Sequence, residues 1–135
     1  MEAWEKWWNM AQGSLKAAHV LEVFGEQRSS VSRAYYAAYQ AATALLLYGR
    51  QIPPVGREAW SHEATPELVT RLPGTILVPP VAQDMRKRLS SLYDLRLVAD
   101  YQGERDIDEL ALRSTLRDAA FIIKIANVTL PKNQS

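Results

Sequence analysis

The sequence predicts an all-α protein: an antiparallel up-and-down bundle of four main helices, with a long loop between the second and third. Three observations carry this. Four stretches repeat their apolar residues every three to four positions. The links between them are short except for one Pro-rich segment. No Gly-rich phosphate loop follows a strand-like run, so nothing points to an α/β fold. The length of 135 residues predicts one helical domain, 1–135, and 47% hydrophobic residues suffice for a core.

Residues 2–24 read as the first helix, with Trp4, Trp8, Leu15, Ala18 and Leu21 on one stripe. Gly13 weakens its middle by roughly 1 kcal/mol relative to Ala, and Gly25 is placed to stop it. Residues 30–48 read as the second helix, capped by Ser29 or Ser30 and ended by Gly49. Its run SRAYYAAYQAATALLLYG is rich in strong helix formers. Residues 50–79 hold five of the seven prolines and read as the long connection. Within it, a short helix is expected over 66–71 behind Thr65, and 75–78 is expected as extended packing. Residues 80–102 form the third helix, with Val81, Met85, Leu89, Leu92 and Ala99 along its stripe. Residues 107–127 form the fourth. Asp106 and Glu109 resemble a capping box, and Leu110, Leu112, Leu116, Ala119, Ala120, Ile123 and Ala126 supply the apolar side. The tail LPKNQS is expected to fray.

Composition narrows the function classes. A net charge of +1 gives no bulk affinity for nucleic acid, so such binding would need a local patch. The absence of cysteine excludes disulfides, thiolate zinc sites and cysteine nucleophiles. Two histidines far apart, His19 and His62, do not suggest a metal site, Glu63 and Asp106 do not change that, and no cofactor is expected. His19 is expected to be structural. Residues 1–10 mix two Glu and one Lys with three Trp, unlike a secretory leader. No apolar run reaches the roughly 18–20 residues that span a bilayer. The expectation is a soluble cytoplasmic protein without a membrane partner.

Several residues do not fit a plain bundle. Arg96 sits in the third helix's apolar stripe, behind Leu89 and Leu92 and before Ala99. Either its stem snorkels along the core edge, or its guanidinium is desolvated and needs a partner. Asp100, four residues on, is a candidate, and Tyr101 follows it. On the second helix Tyr35 and Tyr39 share the core stripe, while Arg33, Tyr36 and Gln40 form an adjacent polar one. His62 lies in the loop sequence WSHEA. Arg86, Lys87 and Arg88 are either a solvated face or, with Arg33, Arg57 and Arg96, an anion-binding strip. Trp4, Trp7 and Trp8 cannot all share one helical face; any left exposed would mark a packing surface for a second copy.

Three blocks, in order and spacing, resemble the HEPN family of higher-eukaryote and prokaryote nucleotide-binding proteins. They are Ser-Arg-Ala-Tyr-Tyr-Ala-Ala-Tyr at 32–39 followed by Ala-Leu-Leu-Leu-Tyr-Gly at 44–49; the loop His62; and Leu92-x-x-Leu95-Arg96-x-x-Ala99-Asp100-Tyr101. The closest likeness is to a subgroup with Arg-x-x-Ala-Asp-Tyr. The resemblance implies a helical bundle that commonly dimerises, with polar residues lining a groove at the dimer interface. Many members are RNases, often the toxin of a toxin–antitoxin pair; others partner a minimal nucleotidyltransferase or bind nucleotides without catalysis. The RNases carry Arg, four to six residues, then His on the third helix. Here the positions five to seven past Arg96 are Tyr101, Gln102 and Gly103, and no His follows His62. A phenol with a pKa near 10 is a poor general base.

Two functions follow from this. The first is a homodimeric binding protein whose groove, lined by Arg33, Tyr36, Arg96, Asp100 and Tyr101, takes a nucleotide or RNA phosphate, with a nucleotidyltransferase-type partner. The alternative is a ribonuclease toxin in which Arg96 stabilises phosphorane charge and Tyr101 or His62 moves protons. A purely structural helical partner is a third possibility. Whether His62 and Arg96 converge in the fold discriminates the first two.

Overall fold

In a computed structural model, which describes residues 1–132, the chain is helical, with no strand among the described residues. The helices are α1 (Ala3–Val23), α2 (Gln27–Tyr48), α3 (Thr65–Val69), α4 (Pro79–Tyr101) and α5 (Glu109–Thr129). The four long ones are those predicted from periodicity; α3 is the short helix of the connection. Central α2 packs on each of the others. Fourteen of its 22 residues are buried, so it is apolar nearly all round. Its many alanines let neighbouring helices approach closely. The main core gathers Tyr35, Leu45, Leu46, Met85, Leu89, Leu92 and Ile122. A second cluster, with Val31, Ala34, Ile107, Leu112 and Leu116, fills the end where α1 turns into α2 and α4 leads to α5.

Helix ends show where local reading fell short. Gly25 ends α1 as expected: it takes φ 76°, and Glu26 N–H returns to Leu21 O at 2.9 Å. Helix α2 begins three residues earlier than predicted, and neither serine caps it. Ser30 is buried and donates to Ala18 O at 2.8 Å, a tie between α1 and α2. Arg28 in its first turn donates to Val98 O and Ala99 O, each at 3.1 Å, and also to Gly103 O and Arg105 O. It thereby satisfies carbonyls that the end of α4 leaves open, where the helix dipole favours a cation. At the end of α2 the left-handed residue is Arg50, φ 63°, rather than Gly49. Gly49 is needed for space: a Cβ there would stand 2.4 Å from Leu72 Cδ2 and 3.2 Å from Ile76 Cδ1.

The start of α5 corrects the expected Asp106–Glu109 box. Asp108 is the cap, accepting from Ala111 N–H at 2.7 Å. Buried Ile107 precedes it, and Leu112 joins Ile107 in the second core cluster, the arrangement of a hydrophobic staple. That rotation leaves Leu110 76% exposed and turns Ala120 outward, against expectation. Residues 75–78 form a turn rather than an extended run, with Ile76 and Leu77 N–H both bonded to Pro73 O. Of the expected frayed tail, Leu130 is buried in the main core; 133–135 lie outside the described residues. His19 faces solvent beside Glu22 rather than packing inside, at 3.8 Å. Trp4, Trp7 and Trp8 are half-buried against the chain's own core, Trp4 edge-on to Tyr48 and Trp7 to Tyr39. None of the three is left exposed, so the condition for reading them as a packing surface for a second copy is not met.

Candidate functional site

Arg96 decides between its two readings. Its side chain is only 13% exposed, with Nε 2.8 Å from Asp100 Oδ2 one turn on. The contact is close but not aligned, so Nε has no well-directed hydrogen bond. Nη2 donates to Tyr36 Oη at 2.9 Å, across from α4 to α2. The guanidinium carbon stands 5.3 Å from the Tyr36 ring centre and 5.7 Å from that of Tyr101. Tyr101 is 71% exposed and forms an outer edge. Arg33 reaches the same Tyr36 ring, 4.9 Å from its centre. Ser32 Oγ lies 3.5 Å from Asp100 Oδ2. Thus Arg33, Tyr36, Arg96, Asp100 and Tyr101, chosen from sequence alone, meet where α2 faces the C-terminal half of α4.

His62 joins them from the long loop. Its Nδ1 is 2.5 Å from Tyr35 Oη, and its ring lies parallel to Tyr93 and 4.4 Å from the Tyr39 centre. The Tyr36 ring stands edge-on to it at 5.9 Å. His62 and Arg96 share no hydrogen bond, but both border Tyr35 and Tyr36. Burial lowers the His62 pKa below its usual value, nearby Arg96 lowers it further, and Glu63 opposes them. The imidazole is therefore neutral at neutral pH. If Tyr35 donates to Nδ1, the ring proton sits on Nε2; if Nδ1 donates, Nε2 is left as an acceptor. Burial foremost raises the Tyr35 pKa, so its phenol stays protonated.

Three contributors escaped the sequence reading. Tyr35 was assigned to the core, and its ring is indeed buried, yet its hydroxyl reaches His62. Tyr93 donates to Glu63 Oε1 at 2.9 Å, tying loop to α4. Its place three residues before Arg96, on the same face, was an available signal; Glu63 gave none. Other expectations fail. Gln40 is buried and bonded to Ser14 at 2.7 Å instead of extending the polar stripe. The basic strip does not form: Arg88 is held by Asp84 and Asp118, and Arg86 bonds Gln83. Arg57 sits apart, on a cavity bounded by His62.

Among the described residues no group of three or more His, Cys, Asp or Glu could hold a metal, and no helix is long and apolar enough to cross a membrane. A comparison with curated proteins found no match. The sequence model of the HEPN domain matches residues 4–129. With that match spanning nearly the whole bundle, the chain belongs to the HEPN domain family.

Proposed function

We propose that this chain is a homodimeric binding protein whose Arg96 groove takes the phosphate of a nucleotide or RNA. In this reading it acts in the cytoplasm beside a minimal nucleotidyltransferase-type partner. One observation carries the binding: two guanidinium groups, Arg33 and Arg96, converge on the single Tyr36 ring, with Asp100 the only carboxylate paired to either among the described residues. One positive charge is left over in a half-enclosed place. Arg96 offers further N–H donors in a planar fork suited to phosphate oxygens. Tyr101 presents an exposed ring beside it, at the outer edge of the groove. Dimer and partner rest on what the family commonly does.

The test is anisotropy with a labelled single-stranded RNA and competition by a 5′-nucleotide. Arg96→Ala should weaken binding about tenfold or more, as loss of a charge-assisted fork predicts. Unchanged affinity would sink the proposal.

The second reading, a ribonuclease toxin, is favoured by one observation: His62 sits in the same aromatic cluster as Arg96. There the RNA 2′-hydroxyl would attack phosphorus and pass its proton to neutral His62, while the P–O5′ bond breaks and the leaving 5′-oxygen takes a proton from the Tyr101 phenol. Arg96 would meet the phosphorane charge. Metal-free incubation with RNA separates the readings. Wild type should cleave weakly or not at all. Robust cleavage that disappears in Arg96→Ala and in Tyr101→Phe or His62→Ala would replace binding with catalysis.

A further inference from the structure

Beside His62, the loop of residues 54–62 bounds with α1 and α2 an open cavity of about 660 Å³. Trp7, Tyr39, Arg57, Glu58, Trp60 and His62 are among its walls. We infer that this cavity is a nucleobase subsite, holding the base of the nucleotide whose phosphate Arg96 binds. The inference rests on the phosphate reading above and adds the part of the ligand that reading leaves unplaced.

The lining chemistry suits a planar, polar-edged ring. The half-buried Trp7 indole offers the accessible aromatic surface for a base, since Tyr39 and Trp60 are buried and His62 packs between Tyr39 and Tyr93. Arg57 forms no ion pair and no side-chain hydrogen bond among the described residues, so its guanidinium is free to lie on a ring or meet a carbonyl oxygen. Glu58, loosely paired with Lys6 at 3.6 Å, brings an acceptor for an exocyclic amine. The volume falls within the roughly 300–1,000 Å³ of small-molecule sites.

The cavity is also held open by its frame. Glu58 is tied to α1 through Lys6, Trp60 O accepts from Tyr39 Oη at 2.5 Å, His62 meets Tyr35, and Glu63 meets Tyr93. These four ties fix 58–63 and leave 52–57 as the arch. Within the arch Arg57 N–H bonds Pro54 O at 3.0 Å, and Gly56 takes φ 79°, the left-handed conformation a type II turn requires. That turn sets Arg57 at the rim. His62 borders the cavity and also the Tyr36 ring, and Arg96 borders that same ring, so the two parts of the ligand would lie on adjoining faces of one aromatic cluster.

The test is NMR of the Trp7 indole N–H, with adenosine, ribose 5-phosphate and adenosine 5′-monophosphate as probes. Adenosine should shift the Trp7 signal and ribose 5-phosphate should not. Exposed Arg57→Gln should weaken adenosine and the monophosphate about fivefold, the order expected for one guanidinium–ring contact. Arg96→Ala should weaken only the phosphate-bearing probes. If millimolar adenosine leaves Trp7 unmoved, or Arg57→Gln leaves monophosphate affinity unchanged, the subsite is wrong even where Arg96→Ala still matters. If Arg57→Gln acts and Arg96→Ala does not, the subsite stands and the phosphate reading falls.

Discussion

Arg88 and Arg96 lie eight residues apart on α4, about 12 Å along the axis at the rise of an α-helix, yet they serve different ends. Arg88 is 27% exposed and faces α5, with Nη1 2.7 Å from Asp118, Nε 3.1 Å from Asp84, and its guanidinium 4.0 Å from the Phe121 ring centre. Its charge is more than matched. Arg96 faces α2, is more deeply buried, and has one carboxylate and three tyrosines around it. Burial alone does not separate a structural arginine from a site arginine; the count of opposing carboxylates does. Arg88 staples two helices, whereas Arg96 keeps charge in hand for a ligand.

The contrast breaks most sharply by substitution. Arg96→Ala should lose about tenfold or more in RNA affinity, at least roughly 1.4 kcal/mol. It should also lose about 1–3 kcal/mol of stability, because Asp100, 28% exposed, is stranded. Arg88→Ala should cost about 1–2 kcal/mol in urea unfolding, by stranding Asp118, while affinity stays within about twofold, the scale of a fraction of a kcal/mol. Equal affinity losses in the two variants would erase the distinction. Tyr36→Phe sharpens it, removing the hydroxyl that accepts the Arg96 hydrogen bond but keeping the ring; a loss of about 0.5–1.5 kcal/mol is expected, read in affinity or unfolding.

The smallest effect is in pH. The folded His62 pKa lies below its unfolded value near 6.5. Between the two the unfolded chain binds more protons, so stability falls as pH drops through about 6.5 and levels off below the folded pKa. His62→Phe should flatten that part of the stability–pH curve. An unchanged slope would mean that His62 is not held neutral by its tyrosine surroundings.

How much of this could be read in advance depended on the range of each interaction. The Ala-rich run of α2 and the Arg96–Asp100 pair were legible because both are set within a few residues along one helix. The α5 start was not. Asp106, Asp108 and Glu109 all offer plausible caps, and the choice fell to Ile107 and Leu112, whose burial depends on α1, α2 and α4 already being in place. The Trp residues were left open for the same reason: whether they lie free depends on Tyr39 and Tyr48 across the α1–α2 interface. His62 stood out as a lone loop histidine and by resemblance, but its place in the fold was not legible. Its position follows from a fold-back of the loop, fixed by Tyr35, Tyr39 and Tyr93, which no spacing rule describes.

Arg28 carries a consequence for the groove's mechanics. The walls of the groove are the first three turns of α2 and the last two of α4, and this one side chain ties the start of α2 to two carbonyls of α4 and two of the loop that follows it. A ligand that bridges Arg33 and Arg96 meets a gap whose width was set when the chain folded. Little ordering entropy remains to be lost on association. Affinity in such a cleft comes at the expense of adaptability: phosphates that match the gap are held well, and bulkier anions cannot pry it wider without first undoing the end of a helix.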